Sequence, residues 1–175
     1  MRIYTRTGDR GETGLYGGSR TRKDNARIVA LGEVDEANAA LGVARAVLGA
    51  SADLDPLLEG LQHRLFDLGA DLAAPGAQGR IGQSHVDRLE TAIDRLEQDL
   101  APLRAFILPG GTAAAAALHL ARAVVRRAER ALVAVPDANP VALAYLNRAS
   151  DLLFVAARHA NRAEGDVLWT PEPSP

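Results

Sequence analysis

Apolar residues recur at helical spacing through most of the chain after residue 25. A first series has alternating steps of three and four residues: Val34, Ala37, Leu41, Ala44 and Leu48. A leucine series with the same alternation runs from Leu54 to Leu72. Such spacing places the apolar side chains on one side of an α-helix. The pattern therefore predicts two amphipathic helices in the first half of the chain.

Polar residues in front of these series predict where helices begin. Asp55 followed by Pro56 indicates a cap and a first-turn proline, so the second helix should start there. Ser84 and Asp87 resemble a capping box in front of a third apolar series, Val86 to Leu100.

The remaining chain predicts two further helices. An alanine run favours a fourth helix from about Thr112 to Val135, and Asn139-Pro140 begins a fifth that ends near Arg162. The connections are short: 49–54, 74–83, 102–111 and 136–139. No segment alternates convincingly as a strand. We therefore predict an all-α fold, an antiparallel up-and-down bundle of five helices.

Length and composition indicate one globular domain, 1–175. We divide it into an N-terminal arm (1–25), a helical bundle (26–163) and a Pro-rich tail (164–175) that should cross the surface without forming a helix. With 47% apolar and 24% charged residues, the chain has an ordinary soluble composition. We expect a cytoplasmic protein with no membrane segment or signal peptide. Because the chain has no Cys, we expect no disulfide and no thiolate nucleophile.

Positive charge is concentrated at the N-terminus, although the net charge is −2. Residues 1–27 contain seven basic and three acidic side chains, and Lys23 is the only lysine in the sequence. A short basic segment on a near-neutral body favours a local anion site over a nucleic-acid surface. Only seven aromatic residues occur, so platforms for base stacking are not expected either.

The arm has the composition of a phosphate-binding loop. Glycine recurs every third residue, at positions 8, 11, 14 and 17, and is interleaved with Thr and Arg side chains. Glycine lets backbone N–H groups converge on an anion, and Thr and Arg add donors. The segment is neither a Walker A loop, since Lys23 is followed by Asp24, nor a Rossmann fingerprint, since Gly-x-Gly is absent. A flexible arm without function is the alternative.

Three other segments depart from a simple core pattern. On the fourth helix, five polar residues fall within one arc: His119, Arg122, Arg126, Glu129 and Arg130. They indicate either anion capture or a solvated exterior. On the fifth helix, Asn147, Asp151, Phe154 and Arg158 share an arc that is either part of a ligand pocket or the edge of a helix contact. The loop Phe106 to Gly111 is a core plug or a binding loop.

Six ordered blocks resemble the PduO-type ATP:cob(I)alamin adenosyltransferases. They are TRTGDRGETGLYGG, RKD, GEVDEANAALG, FILPGG, ALHLARAVVRRAER and YLNRASDLLFVAAR, and they span nearly the whole chain. The resemblance implies a homotrimer of five-helix bundles with active sites between subunits. It also implies transfer of the 5′-deoxyadenosyl group from ATP to cob(I)alamin or a corrinoid precursor, with release of triphosphate.

The resemblance further implies roles for individual residues. ATP would be bound by the arm, by Lys23 and by residues of the fourth and fifth helices: Thr5, Arg6, Thr7, Gly8, Thr13, Gly14, Lys23, Arg126, Arg127, Ala128, Glu129, Arg130 and Asn147. Phe106 and Phe154 would line the corrinoid site, and with Arg126 they are the predicted catalytic residues. Asp35 and Arg122 would pair across the subunit interface. Mg²⁺ would arrive with ATP, and no metal ligands are assigned. A flavoprotein reductase and an adenosylcobalamin-dependent enzyme are the expected partners.

Rival functions follow from the same fold. A ferritin-like di-iron bundle needs Glu-x-x-His pairs, and no His in the sequence has Glu three residues before it. A non-catalytic module that senses nucleotide or carries cobalamin stays open, as does a structural trimer with a decayed site. A carrier of cobalamin alone would not need basic groups for triphosphate.

Overall fold

The computed structural model describes residues 3–48, 53–76 and 79–171. Within these ranges the chain forms five helices and one small hairpin. The helices are α1 (Ala26–Leu48), α2 (Asp55–Ala73), α3 (Gln83–Glu97), α4 (Ala113–Val133) and α5 (Pro140–Ala160). The predicted five-helix bundle is therefore confirmed.

The bundle is organised around α1, α4 and α5. Helix α1 packs against α2 and α4, α4 packs against α5, and α3 packs against α5. The predicted apolar series point into one core, in which Leu41, Leu65, Leu118 and Leu146 are almost fully buried. Among the described helices, no stretch is both long and apolar enough to cross a lipid bilayer.

Two of the predicted helix starts use the expected caps. The Thr112 hydroxyl accepts a hydrogen bond from the Ala115 N–H at 3.1 Å, and the Asn139 side chain accepts one from the Val141 N–H at 3.0 Å. Both side chains satisfy N–H groups that the first helical turn leaves free. Pro140 then occupies the first turn of α5, where its missing N–H costs nothing.

The other two starts differ from the prediction. Asp55 is the first helical residue of α2 and caps nothing, because its carboxylate binds the Arg45 guanidinium at 2.7 Å. At α3, Gly82 occupies the N-cap position in place of Ser84. The Gly82 N–H donates to His85 Nδ1 at 3.1 Å, and the His85 N–H donates to the Gly82 carbonyl at 2.9 Å. His85 thus fills the role that we predicted for Asp87.

A hairpin in the arm is absent from the prediction. Strand β1 (Glu12–Gly14) pairs antiparallel with β2 (Arg20–Arg22), and Thr13 stands opposite Thr21. The turn between them contains Gly17 and Gly18, both with positive φ, a conformation that glycine adopts without steric cost. Strands of three mostly exposed residues carry no apolar alternation, so the sequence pattern could not reveal them.

The loop before α4 and the C-terminal tail are joined to the end of α5. The buried Asn161 side chain accepts a hydrogen bond from the Thr112 N–H and donates one to the Gly110 carbonyl. A Cβ at Gly111 would lie 2.4 Å from Asn161 Oδ1, so only glycine fits there. The tail pairs with the loop through a bridge between Ile107 and Leu168. It crosses the surface without helix through Pro171, as predicted; residues 172–175 lie outside the described residues.

Candidate functional site

The hairpin gives the N-terminal arm a defined shape. The Arg20 guanidinium donates to the Thr7 carbonyl at 2.7 Å, and the Thr5 and Thr7 hydroxyls are 2.8 Å apart. The arm is joined to the bundle by the Tyr16 N–H, which donates to the Ala73 carbonyl at the end of α2 at 2.8 Å. This connection argues against a detached, flexible arm.

The absence of a side chain at Gly8 lets the Lys23 ammonium lie against the arm. The Lys23 Nζ atom lies 3.3 Å from the point that a Cβ at Gly8 would occupy, so a side chain there would crowd the lysine. The Lys23 N–H also donates to the Gly11 carbonyl at 2.8 Å, which continues the pairing of the hairpin. The predicted arm residues, including Thr13 and Gly14 in β1, and Lys23 thus belong to one unit.

Helix α4 presents two exposed arginines without an acidic partner. The Arg130 guanidinium donates to the Arg126 carbonyl at 3.0 Å, and Arg126 reaches the Ser150 hydroxyl at 3.5 Å. Among the described residues, no carboxylate lies within ion-pair distance of either guanidinium. Two adjacent positive charges on one helix face repel each other and favour a bound anion.

The neighbouring Arg127 faces a different direction and is neutralised. It pairs with Glu33 at 2.5 Å and with Glu36, both on α1, and these contacts raise the pKa of Arg127. Ala128 is fully buried in the core. These two predicted ATP-binding residues therefore hold α4 against the bundle. Their side chains do not join the positively charged face that Arg126 and Arg130 form.

Asn147 and Glu129 connect α5 with α4 beside Arg126 and Arg130. The Asn147 amide donates to Glu129 Oε1 at 3.1 Å. The Ser150 hydroxyl, which Arg126 contacts, donates to the Asn147 carbonyl at 2.8 Å. Arg126, Glu129, Arg130 and Asn147 consequently form one polar patch.

Behind this patch lie two polar side chains whose buried nitrogens have no partner. His119 is 2% exposed, and neither ring nitrogen has a hydrogen-bond partner among the described residues; the same holds for Arg122 Nε. Burial lowers the pKa of His119, and the positive charge of Arg122 lowers it further. Burial also lowers the pKa of Arg122. Asp35 is exposed on α1, and no pair between Asp35 and Arg122 forms within the described chain.

Phe154 and Phe106 line two different hollows of the single chain. Phe154 packs edge-on against the His119 ring, with centroids 6.0 Å apart, and borders a hollow of about 460 Å³ between α3 and α5. Phe106 is 79% exposed, meets Trp169 edge-on at 6.1 Å and borders a hollow of about 470 Å³. The structure thus does not bring these two predicted residues together within the single chain.

Known proteins that are similar to this chain belong to one family. The family model of the cobalamin adenosyltransferases matches residues 3–160. A corrinoid adenosyltransferase from Mycobacterium tuberculosis is 49% identical over 97% of this chain and 93% of its own length. One from Bacillus subtilis is 43% identical, over 94% and 89%.

This chain belongs to the cobalamin adenosyltransferase family. A solved structure agrees: a variant PduO-type ATP:corrinoid adenosyltransferase from Lactobacillus reuteri, complexed with cobalamin and ATP, superimposes with a TM-score of 0.91. It is 38% identical and covers 96% of each chain. The predicted family and the predicted transferase function are confirmed.

Sequence reasoning missed the residues that hold the Phe106 loop of this adenosyltransferase. The Arg158 guanidinium, 6% exposed, binds Asp166 at 2.9 Å and donates to the Ala101 carbonyl at 2.7 Å. The Trp169 N–H donates to the Phe106 carbonyl at 2.8 Å. Arg158 thus binds the tail and the loop before α4, a role that neither the ligand-pocket nor the helix-contact interpretation described. The sequence did carry one signal for this pairing: three consecutive apolar residues, Val167 to Trp169, stand in an otherwise Pro-rich tail.

Proposed function

We propose that this protein transfers the 5′-deoxyadenosyl group of ATP to the cobalt of cob(I)alamin or a corrinoid precursor. The Co(I) electron pair attacks the ribose 5′ carbon, a cobalt–carbon bond forms, and the carbon–oxygen bond breaks with its electrons passing to triphosphate. Co(I) is itself a strong nucleophile, so the protein needs no nucleophile or base of its own. Its task is to position the reactants and to stabilise charge on the leaving group.

The observation that carries this proposal is the uncompensated positive charge on α4 and the arm. Arg126 and Arg130 lack acidic partners in the described chain, while the adjacent Arg127 is fully engaged. In the proposed complex, both free guanidinium groups and Lys23 bind the triphosphate, and the arm from Thr5 to Gly14 closes over the nucleotide. Planar guanidinium groups suit phosphate oxygens because they donate two parallel hydrogen bonds.

Magnesium fits this site as a companion of ATP. The described residues contain no group of three side chains that could hold a metal unaided. Mg²⁺ bound to nucleotides usually keeps waters and needs only one or two carboxylates besides phosphate oxygens. Glu129, fixed by Asn147 at 3.1 Å, supplies one carboxylate beside the arginines. Bound there, Mg²⁺ would neutralise charge on the triphosphate.

Phe106 and Phe154 are the proposed walls of the corrinoid site. A lower axial ligand that donates to cobalt makes Co(II) harder to reduce. An apolar wall that excludes this ligand favours four-coordinate cobalt and eases formation of Co(I). The 79% exposure of Phe106 in the single chain leaves its ring free to meet a corrinoid or a neighbouring subunit.

We further propose a homotrimer with active sites between subunits, in which Asp35 of one subunit pairs with Arg122 of the next. The support is that Arg122 Nε is buried without a partner in the described chain, whereas Asp35 is exposed. A half-buried guanidinium requires a counter-charge. We place the protein in the cytoplasm, where a flavoprotein reductase supplies Co(I) and an adenosylcobalamin-dependent enzyme receives the product.

Anaerobic incubation with chemically reduced cobalamin and Mg-ATP tests the proposal. Light-sensitive adenosylcobalamin and free triphosphate should form in equal amounts. A matched reaction that contains aquacobalamin without reductant should give neither product. Nucleotide and cobalamin binding without any product would instead indicate the non-catalytic carrier or sensor.

A further inference from the structure

A cavity between α2 and α3 lies apart from every residue predicted to bind ATP or corrinoid. Helix α2 packs mainly on α1, and α3 packs mainly on α5, which leaves a gap of about 340 Å³ between α2 and α3. Tyr145 of α5 forms part of its wall, with Leu57 and Leu61 from α2 and Leu89 from α3. Its volume is at the lower end of the range for small-molecule sites.

His85 and Tyr145 are two of the hydrogen-bonding side chains, besides the arginines, that line this cavity. His85 Nδ1 accepts the Gly82 N–H at 3.1 Å, so in the neutral ring the proton resides on Nε2, which can donate. Tyr145 is 1% exposed, and no described residue hydrogen-bonds to its hydroxyl. Burial raises the pKa of Tyr145, which therefore keeps its proton and remains a donor.

The charged side chains of the cavity carry one positive charge without compensation. The Arg64 guanidinium is neutralised by Asp67 at 2.8 Å. Arg88 forms no ion pair with any residue that the structure describes, and none of the described lining residues is acidic. The cavity thus combines an apolar wall, the His63 and His85 imidazoles, the Tyr145 hydroxyl and one guanidinium without an acidic partner among the described residues.

We propose that this cavity binds an organic monocarboxylate with a small apolar body. The carboxylate pairs with Arg88, whose planar fork matches its two oxygens, and accepts hydrogen bonds from His85 and Tyr145. The apolar part lies against Leu57, Leu61 and Leu89. A dianionic phosphate is disfavoured because Asp67 has already neutralised Arg64. The site is separate from adenosyl transfer, so the proposal is independent of the proposed function.

Titration with hexanoate tests the ligand class. Amide NMR spectra of the whole protein are followed at a constant 0.15 M ionic strength, which screens non-specific attraction. Hexanamide is the neutral match, acetate lacks the apolar body, and inorganic phosphate is the alternative anion. Hexanoate should shift amides of α2 and α3, with at least tenfold tighter binding than any of the other three. Equal binding of hexanamide, tighter binding of phosphate, or shifts confined to other elements would overturn the proposal.

Variants test the residues. Arg88→Gln should weaken hexanoate binding at least tenfold, and Tyr145→Phe, which keeps the ring, about three- to tenfold. Arg95→Gln is the matched control, because it removes the same charge from α3 outside the cavity; it should stay within twofold. If Arg88→Gln and Arg95→Gln lost hexanoate affinity equally, or if Arg88→Gln lost none, the proposed role of Arg88 in carboxylate binding would be contradicted. Melting temperatures establish that each variant is folded.

Discussion

At the scale of single residues, Arg126 and Arg127 differ in the partners that their guanidinium groups find. They are neighbours in the sequence, but one turns toward solvent beside Ser150 and the other binds Glu33 and Glu36. The helical arc predicted from sequence contained Arg126 and Arg130 and left out Arg127, so periodicity separated free from paired arginines. It could not identify the partners, because Glu33 and Glu36 come from α1.

Arg126→Ala should impair both ATP binding and transfer. Because a hydrogen bond to a charged group contributes about 1.5–3 kcal/mol, kcat/KM should fall about 10- to 150-fold. Steady-state kinetics and nucleotide titration measure the two effects, and Arg95→Ala, on the exposed face of α3, is the control. Kinetics equal to those of the unaltered protein would remove Arg126 from the site.

His119 should make stability depend on pH. Its pKa in the folded protein is lowered from 6.5 by burial and by Arg122, against a smaller opposing effect of Asp166. The unfolded chain therefore takes up a proton at a pH where the folded protein does not. The free energy of unfolding is then highest above about pH 6.5 and falls as the pH drops below that value. The slope from this residue cannot exceed about 1.4 kcal/mol per pH unit.

Urea unfolding between pH 7.5 and 5.0 measures this effect. His119→Leu should flatten the pH dependence without abolishing it, since burial also lowers the pKa of His159. His63→Leu, at an exposed position, is the control. A His119→Leu profile as steep as that of the unaltered protein would contradict the assignment.

At the scale of elements, the sequence pattern predicted all five helices. Where a helix start differs from the prediction, the cause is a contact with another part of the fold. Thr112 and Asn139 cap as expected because their other hydrogen bonds, to Asn161 and to the Ile81 carbonyl, use the side chain as a donor and leave an oxygen lone pair for the helix N–H. Asp55 does not cap, because Arg45 of α1 binds its carboxylate. The pairing of the tail with the Phe106 loop depends on contacts across more than 60 residues, so local sequence patterns could not predict it.

The loop from 101 to 111 should control turnover without controlling ATP binding. We expect Phe106→Ala to leave ATP affinity within about twofold and to lower turnover strongly, because cobalt would keep its lower ligand. Electron paramagnetic resonance of bound Co(II) reports the coordination number. Phe66→Ala removes a ring of similar exposure from α2 and is the control. Full turnover with four-coordinate cobalt in Phe106→Ala would refute this role.

At the scale of the whole molecule, some side chains of the single chain lack partners that neighbouring subunits of an assembly would supply. Arg122 lacks a counter-charge within the described residues, and Phe106 and Phe154 line separate hollows. The prediction of a trimer with active sites between subunits came from the family resemblance alone. Composition and helical periodicity contain no information about the number of subunits. The trimer stays a prediction.

Arg122→Ala should weaken the assembly. If Asp35 and Arg122 form a buried pair, removal of one partner strands the other charge and costs ~3–5 kcal/mol. Light scattering should detect dissociation of the trimer, and the melting temperature should fall. Arg148→Ala, which breaks partly exposed ion pairs with Glu90 and Asp151, is the control and should cost ~1 kcal/mol or less. An Arg122→Ala trimer with unaltered melting would contradict the interface pair.

In the proposed complex, the arm and the α4 arginines bind triphosphate beside the corrinoid. A crystal structure with Mg-ATP and cobalamin tests this arrangement most directly. We predict an ordered arm over the nucleotide, with Lys23, Arg126 and Arg130 within hydrogen-bond distance of phosphate oxygens and Phe106 against the corrin. A disordered arm, with both arginines directed into bulk solvent while nucleotide is bound elsewhere, would contradict the account.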